Sequence, residues 1–328
     1  MDNFVLAIDI GGTNTKLALV DGEGKAGQVR SIPSSQKGGL HVFLDKVANE
    51  ARLLITESKG IVDGIGIGVA GFVDPKHTKM IFNPNIPWLE NVDLKKYFAN
   101  TFGLPVYIEI DSNAAALAEA VFGAGQDYER VLVLAVGTGL GGGMVVNGQI
   151  VRISNECLGD IGHVLVDADG IACASGCRGC AEALVSSSAL IRYASEFMIK
   201  DKSSIGHEKA IMGALEVPFI IQAIQAKDDA ALKAIDKMGG YLGHAMGSIA
   251  PVFEPNIFCI AGGISEAGDP FINAAKKRFF ELTGTPYSKG VSVKKARMGW
   301  QSVLIGSAEA FRSQQEGFSM RERFMHEK

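Results

Sequence analysis

Three short glycine turns and one cysteine cluster hold the residues of this chain whose types and spacing suit chemistry. In DIGGTNTK, Gly11 and Gly12 let the backbone come close to a ligand, and Thr13 with the N–H groups of the turn offers donors for a phosphate oxygen. Asp9, just ahead of the turn, is placed to hold Mg²⁺ directly or through water. The same residues also suit an ordinary glycine hairpin. The second turn, GTGLGGG, runs from Gly137 to Gly143. It lacks the lysine of a Walker loop and does not open a helix, so both common nucleotide fingerprints fit poorly, and Gly137, Thr138 and Gly139 read instead as a phosphate cradle. The third turn, AGGIS, sets Gly262 and Gly263 after the apolar run IFCI. One such turn says little; three in one chain point to a phosphate-bearing ligand.

Cys173, Cys177 and Cys180 fall within eight residues of one another, out of five cysteines in all. An odd count with a tight cluster suits a metal site in a reducing compartment better than a disulfide framework. Cys157 and Cys259 stand apart in apolar surroundings and read as small packing residues.

Strands and helices must position these groups. FVLAIDIGG and NTKLALVD read as a hairpin with GGTN at its tip. A helical pattern follows near Leu40 to Ser58, then the strand IVDGIGIGVAG, an irregular stretch holding NPNIPW, and the strand VYIEID before the helix NAAALAEAVF. The second half opens on RVLVLAVGTGLGGGMVV, again strand, Gly/Thr turn and returning strand. Helices follow in SSSALIRYASEFMI and KAIDKMGGYLGHAMGSIAPVF, then the strand NIFCIAGGIS and a last helix, LIGSAEAFRSQ, expected to return onto the first lobe. Alternating strands and helices imply an α/β fold, and the repeated strand–turn–strand implies a duplicated lobe. The expected lobes are residues 1–115 with about 305–328, and 116–304 carrying the cysteine loop.

A chain of 328 residues with 47% apolar content has enough core for two domains. Its 40 glycines exceed the usual ~7% share, and the excess lies largely in the turns. A net charge of -4 from well-mixed residues gives no footprint for nucleic acid or an anionic membrane. Without a signal-peptide pattern or a run near the ~20 apolar residues of a membrane span, a cytoplasmic protein is expected.

The order DIGGT, GIGIGVAGFVDP, IPW, a strand ending in Asp before N-AAALAE, GTGLGGG, GDIGH, a Cys cluster ending GC-A-E, and AGGIS resembles the ROK family of sugar kinases and related repressors, and does so along essentially the whole chain. The resemblance implies an actin-like, hexokinase-like fold of two ribonuclease-H-type lobes whose interlobe cleft closes over ATP, Mg²⁺ and a sugar. It implies that Asp111 is the general base that accepts the proton of the attacking hydroxyl, where position alone also allows a helix N-cap. Glu109, two residues earlier on the same strand face, is given no role. The resemblance places Asp160, His163 and Glu182 at the sugar, with contacts from Gly71 and Asn85. His163, Cys173, Cys177 and Cys180 would be the four ligands of a structural Zn²⁺, with the second ring nitrogen of His163 turned toward the sugar. A homodimer is also part of what the family implies.

Three positions depart from the family's pattern. Ser175 stands where the middle cysteine is expected, with Cys177 two residues later, so the zinc loop is either shifted with compensation or weakened. Ile110 replaces a usual Asn, and Asp160 a usual Glu, which alters the hydroxyl pattern the sugar site tolerates. The expected activity is therefore ATP-dependent phosphorylation of a hexose, an N-acetylhexosamine or a close analogue. The competing expectations are a sugar sensor with little or no turnover and, less favoured, a repressor. The repressor would need a DNA-binding helix-turn-helix ahead of the first strand, and that strand is expected at about residue 4.

Overall fold

The computed structural model describes residues 3–34, 38–83, 86–153 and 156–315. Along the chain, β1 (Asn3–Ile10) and β2 (Asn14–Val20) form the expected hairpin, and β3 (Arg30–Pro33) extends it. Then come α1 (Leu40–Glu57), β4 (Ile61–Val69), a small ribbon of β5 (Phe72–Val73) and β6 (Met80–Phe82), α2 (Leu94–Phe102), and β7 (Val106–Ile110) running straight into α3 (Asp111–Val121). β8 (Arg130–Val136), β9 (Leu140–Val146) and β10 (Gln149–Ile150) follow in sequence. After a long loop come α4 (Ala181–Leu184), α5 (Ser187–Lys200), α6 (His207–Ile211), α7 (Val217–Gln225) and α8 (Asp229–Phe253). The chain ends with β11 (Ile257–Ala261), α9 (Asp269–Leu282), α10 (Thr285–Ser288), β12 (Ser292–Lys295) and α11 (Ser302–Gln315).

The two large sheets have the same strand pattern. The first runs β3-β2-β1-β4-β7 and the second β10-β9-β8-β11-β12. In the first, β1 to β3 form an antiparallel meander and β4 and β7 join in parallel. The second repeats this plan: β10 pairs with β9 antiparallel, and β11 lies parallel to both β8 and β12. Parallel neighbours need crossover connections, and α1, α2, the α4–α8 segment and α9 with α10 supply them. The chain divides into two compact units, one of Met1–Glu129, Gly143–Gly159 and Met298–Lys328, the other of Arg130–Gly142 and Asp160–Arg297. The division falls within β9 and leaves α3 whole, whereas the expected bound at 115 lies inside that helix.

In the first unit, one sheet face carries Ile8, Ile10, Ile65, Ile67, Ile108 and Ile110 onto Phe43, Leu44 and Val47 of α1 and Phe98 of α2, all buried. Each such side chain contributes roughly 1.5–3 kcal/mol when fully buried. α2 begins where the Asp93 carboxylate accepts the Lys96 N–H at 2.8 Å and ends at Gly103 in the left-handed region. The other face is set by alternation in β4. A side chain at Gly66 would collide with the Ser307 carbonyl, and those at Gly64 and Gly68 with Phe311 and Val303. The glycines thus let α11 lie directly on the strand, and Gly306 brings α11 against the Ala114 carbonyl of α3.

In the second unit, α8 packs on α9 by the same device, since a Cβ at Gly239 would stand 2.6 Å from Cβ of Ala274. α8 is capped by Asp228, whose side chain accepts the Ala231 N–H at 2.9 Å, and it ends at Glu254 in the left-handed region. Phe258 of β11 meets Phe279 of α9 edge-on at 5.5 Å.

Candidate functional site

In the first unit, β1, β4 and β7 finish level, with Ile10 paired to Val69 and Val69 to Ile110. The turn at Gly11, Gly12 and Thr13, the Ala70–Gly71 bend and Asp111 therefore emerge together at the carboxyl edge of parallel strands, the usual ligand edge of an α/β sheet. Gly11 N–H closes the turn on the Asn14 carbonyl at 3.2 Å, and Ser34 N–H binds the Thr13 carbonyl at 2.8 Å. Gly71 has φ of +97°, and a Cβ there would lie 2.9 Å from Asn83 Cβ. Asn83 in turn donates from Nδ2 to the Ala70 carbonyl at 2.8 Å, which fixes this bend. Asn85, expected at the sugar, lies outside the described residues.

The two aspartates of this edge have perturbed acidities. Burial, with the negative charge of Asp111 added to it, raises Asp9 to about 7, and Lys16 works the other way. Burial raises Asp111 to about 6 against the hydrogen bonds of its own N–H and that of Ser112, the latter at 2.7 Å. Asp111 is the first residue of α3, and Ile110 occupies the cap position, so the helix-cap reading survives only as this local bond. Lys16 was not singled out in the sequence. Its signal was there, because Asp9 and Lys16 are directly paired across the hairpin, with the Lys16 ammonium 5.2 Å from the Trp300 ring centroid.

In the second unit, Ala135 of β8 pairs with Ala261 of β11, so Gly137, Thr138 and Gly139 leave the sheet beside Gly262 and Gly263. Gly262 has φ of +87° and presses on the Val136 backbone, where a side chain would clash. Ser265 secures the turn by donating from Oγ and N to the Gly262 carbonyl at 2.8 and 3.0 Å. The GTGLGGG run splits by role. Gly137 and Gly141 face open space, Gly142 packs on Ile161 and the Val133 carbonyl, and Gly143 packs on the Ser112 carbonyl. The carboxylate of Glu182 fills the space beside Gly139 and accepts the Leu140 N–H at 3.2 Å. Glu182 is thereby joined to the glycine turn rather than standing free of it.

Asp160 precedes and His163 ends a short 3-10 turn, Ile161–His163, with Oδ2 of Asp160 3.3 Å from Nε2 of His163. The other ring nitrogen, Nδ1, lies 3.8 Å from Sγ of Cys173. His163, Cys173 and Cys180 place their ligand atoms within 4.8 Å of one another. Zn–S and Zn–N bonds of about 2.3 and 2.0 Å at a tetrahedral angle put ligands about 3.5 Å apart, so this triad fits a zinc ion. Cys177 is outside that grouping, although its thiol hydrogen-bonds the Cys173 thiol. Cys177 is exposed in the turn bridged at Ala172 and Arg178, where its carbonyl accepts the Cys173 N–H at 2.8 Å. Burial works to raise the Cys173 thiol, but hydrogen bonds with Cys180, Cys177 and the Ser175 and Cys177 amides bring it below its usual range. Burial raises Cys180.

Two sheets of one strand order, each with glycine turns at its carboxyl edge, define the duplicated actin-like, hexokinase-like α/β fold. The chain belongs to the ROK family, which it matches over residues 5–314. It is 30% identical over 321 residues to the glucokinase of Halalkalibacterium halodurans, covering 96% of each chain. It is 28% identical over 312 residues to the xylose repressor of Bacillus subtilis, covering 92% of this chain and 77% of the repressor. Among solved structures, a ROK glucokinase of Streptomyces griseus in complex with glucose and AMPPNP superposes with a TM-score of 0.80 at 29% identity, covering 94% of this chain and 98% of that one. Among the described residues, no helix is long and apolar enough to cross a membrane.

Proposed function

We propose that the chain is an ATP-dependent sugar kinase that transfers the γ-phosphoryl group to a hydroxyl of a hexose, an N-acetylhexosamine or a close analogue. The observation that carries this is Asp111: a carboxylate raised to about 6, at the carboxyl end of β7 and the start of α3. A base with that acidity is ionised at neutral pH yet still able to accept a proton as the hydroxyl attacks. Likeness to the glucokinase of H. halodurans supports the reaction class.

Phosphoryl transfer asks mainly for positioning and charge compensation. The turns at Gly11 to Thr13, Gly137 to Gly139 and Gly262 to Gly263 are assigned to the phosphates, and the open space at Gly137 and Gly263 supports close approach of a ligand to the backbone there. Asp9 is the carboxylate for Mg²⁺, which when bound neutralises phosphate charge; a group raised to about 7 returns to its ionised form beside a cation. Lys16, paired with Asp9, adds a positive charge at the same edge. Asp160, His163, Glu182 and Gly71 are assigned to the sugar, with Asn85 as expected from the sequence. His163, Cys173 and Cys180 would hold a structural Zn²⁺, which locks the His163 ring so that Nε2 and Asp160 keep their orientation.

The test is ADP release from ATP and Mg²⁺ with a panel of hexoses, amino sugars, N-acetyl sugars, deoxy sugars and cyclitols, with Asp111→Asn as the blank. Sugar-dependent turnover absent from the blank supports the kinase and identifies its substrate. A second reading, a sugar sensor, is favoured by the likeness to the B. subtilis xylose repressor and by the pairing of Asp160 with His163. Calorimetric sugar binding with no turnover across the panel would replace the first reading by the second.

A further inference from the structure

Glu109 is the residue of β7 that the sequence left without a role, and its side chain has no exposure to solvent. Its carboxylate is met by Arg152 in two-pronged fashion, Nη1 donating to Oε1 at 3.1 Å and Nη2 to Oε2 at 2.6 Å. Oε1 also accepts the Ile110 N–H at 2.9 Å and Nδ2 of Asn113 at 2.9 Å. The residue before Asp111 and the second residue after it are therefore tied to one buried carboxylate. Asn113 is itself fully buried, and its Nδ2 donates a second bond to the Glu156 carbonyl at 2.8 Å, which fixes the orientation of its amide.

Arg152 is held in its turn. Nη1 donates to the Glu156 carbonyl at 3.0 Å, and Nη2 reaches the Tyr107 hydroxyl at 3.4 Å. The His77 ring stacks on Tyr107 at 4.8 Å, places Nδ1 2.6 Å from the Ile108 carbonyl and sets Nε2 3.4 Å from the Glu156 carboxylate. His77 and Glu156 are both non-glycine residues in the left-handed region, with φ of 51° and 60°. Backbone held at such angles persists where its surroundings over-determine it. A buried ion pair is a poor source of net stability, since well-packed apolar residues commonly do as well. A purely structural role leaves unexplained why so many bonds converge on the residues flanking Asp111.

We propose that Glu109, held by Arg152, is a positioning residue that clamps the junction of β7 and α3 and so fixes the direction of the Asp111 carboxylate. The proposal rests on the reading of Asp111 as the base. Misplacing a reacting group by about 1 Å costs on the order of 10²-fold in rate.

The experiment uses the full chain with Glu109→Gln, Arg152→Lys, Arg152→Met and the double variant Glu109→Gln/Arg152→Met. The double variant removes both charges together and stays folded where a single one leaves an unpaired buried ion. Two readouts are taken: kcat with KM for ATP, and hydrogen exchange of the peptide spanning 107–116. The expected result is faster exchange confined to that peptide and a kcat lower by about 10²-fold at an unchanged KM for ATP. Arg152→Lys should recover part of the rate. Unchanged exchange in the folded double variant overturns the clamp, and faster exchange with a wild-type kcat overturns its role in positioning. If the wild-type chain shows no sugar-dependent turnover, the kinase reading has failed, and exchange still decides whether Glu109 anchors the junction.

Discussion

On the reading of Asp111 as the base, Asp111→Asn should abolish turnover and at the same time stabilise the chain at alkaline pH, because the same charge is costly to bury. Burial raises the carboxyl from 3.8 to about 6 in the folded state. The folded value lies above the unfolded one, so the folded chain binds this proton more tightly. The penalty on the ionised form is absent well below the unfolded value of 3.8, grows between about pH 4 and 6, and is complete by about pH 7. About two pH units at 1.36 kcal/mol each give up to ~3 kcal/mol, reduced to about 1.5–3 kcal/mol by the partial exposure of Asp111. Asn keeps the local bond, since its carbonyl oxygen also accepts the Ser112 N–H. At ~2–4 °C per kcal/mol, the variant should melt roughly 3–12 °C above the wild type at pH 8, with about a third of that gap left at pH 4.5. The assay is thermal unfolding of both proteins across pH 4.5–8 without ATP or Mg²⁺, beside kcat at pH 8, where loss of a general base costs about 10²–10⁴-fold. A variant that melts lower at pH 8, or a gap that does not change with pH, refutes the claim that Asp111 is a desolvated carboxylate. Turnover within tenfold of wild type refutes its role as base.

Asp9→Asn should show the same sign of stability change over a window shifted upward, since Asp9 is raised to about 7, and calorimetry should find its ATP affinity no longer increased by Mg²⁺. Metal analysis should find one zinc per chain in the wild type, lost in Cys173→Ser and Cys180→Ser and retained in Cys177→Ser, whose thiol stands outside the triad; zinc loss from Cys177→Ser equal to the others would restore the four-ligand expectation. Gly306→Ala should destabilise the first unit by several kcal/mol, because its Cβ would collide with the Ala114 carbonyl in two elements that have no room to separate, and an unchanged melting temperature would show that the α3–α11 approach is looser than described.

The sequence carried the parts of the site that are local. The adjacency of Asp9 to the GGT turn and the step from β7 to Asp111 follow from near neighbours in the chain, and each strand-turn-strand copy is itself one continuous segment. The return of α11 was legible too, and its reason was written in the alternate glycines 64, 66 and 68, which were read only as part of a strand. What sequence order conceals is convergence over distance. Glu109 and Arg152 are 43 positions apart, and nothing in either neighbourhood announces the other. The exposure of Cys177 was hidden for a different reason, since spacing cannot say which way a thiol points in a turn. α9 was passed over although Pro270 in its first turn and the apolar spacing of Phe271, Ala274, Ala275 and Phe279 mark an amphipathic helix.

The three departures from the family's pattern have different physical meanings. Ile110 is 3% exposed and belongs to the apolar cluster beneath α1 and α2, paired to Val69. A polar side chain buried in that direction would lose its water without a partner, so isoleucine here is what the packing of the first sheet requires. Asp160 is short enough to sit at 3.3 Å from Nε2 of His163, so its carboxylate meets one ring nitrogen while Sγ of Cys173 lies 3.8 Å from the other. Ser175 removes a thiol, and the Cys177 thiol, exposed beside the triad, hydrogen-bonds that of Cys173. In the proposed zinc site this departure bears on how many ligands the loop supplies, and so on how tightly the His163 ring is held.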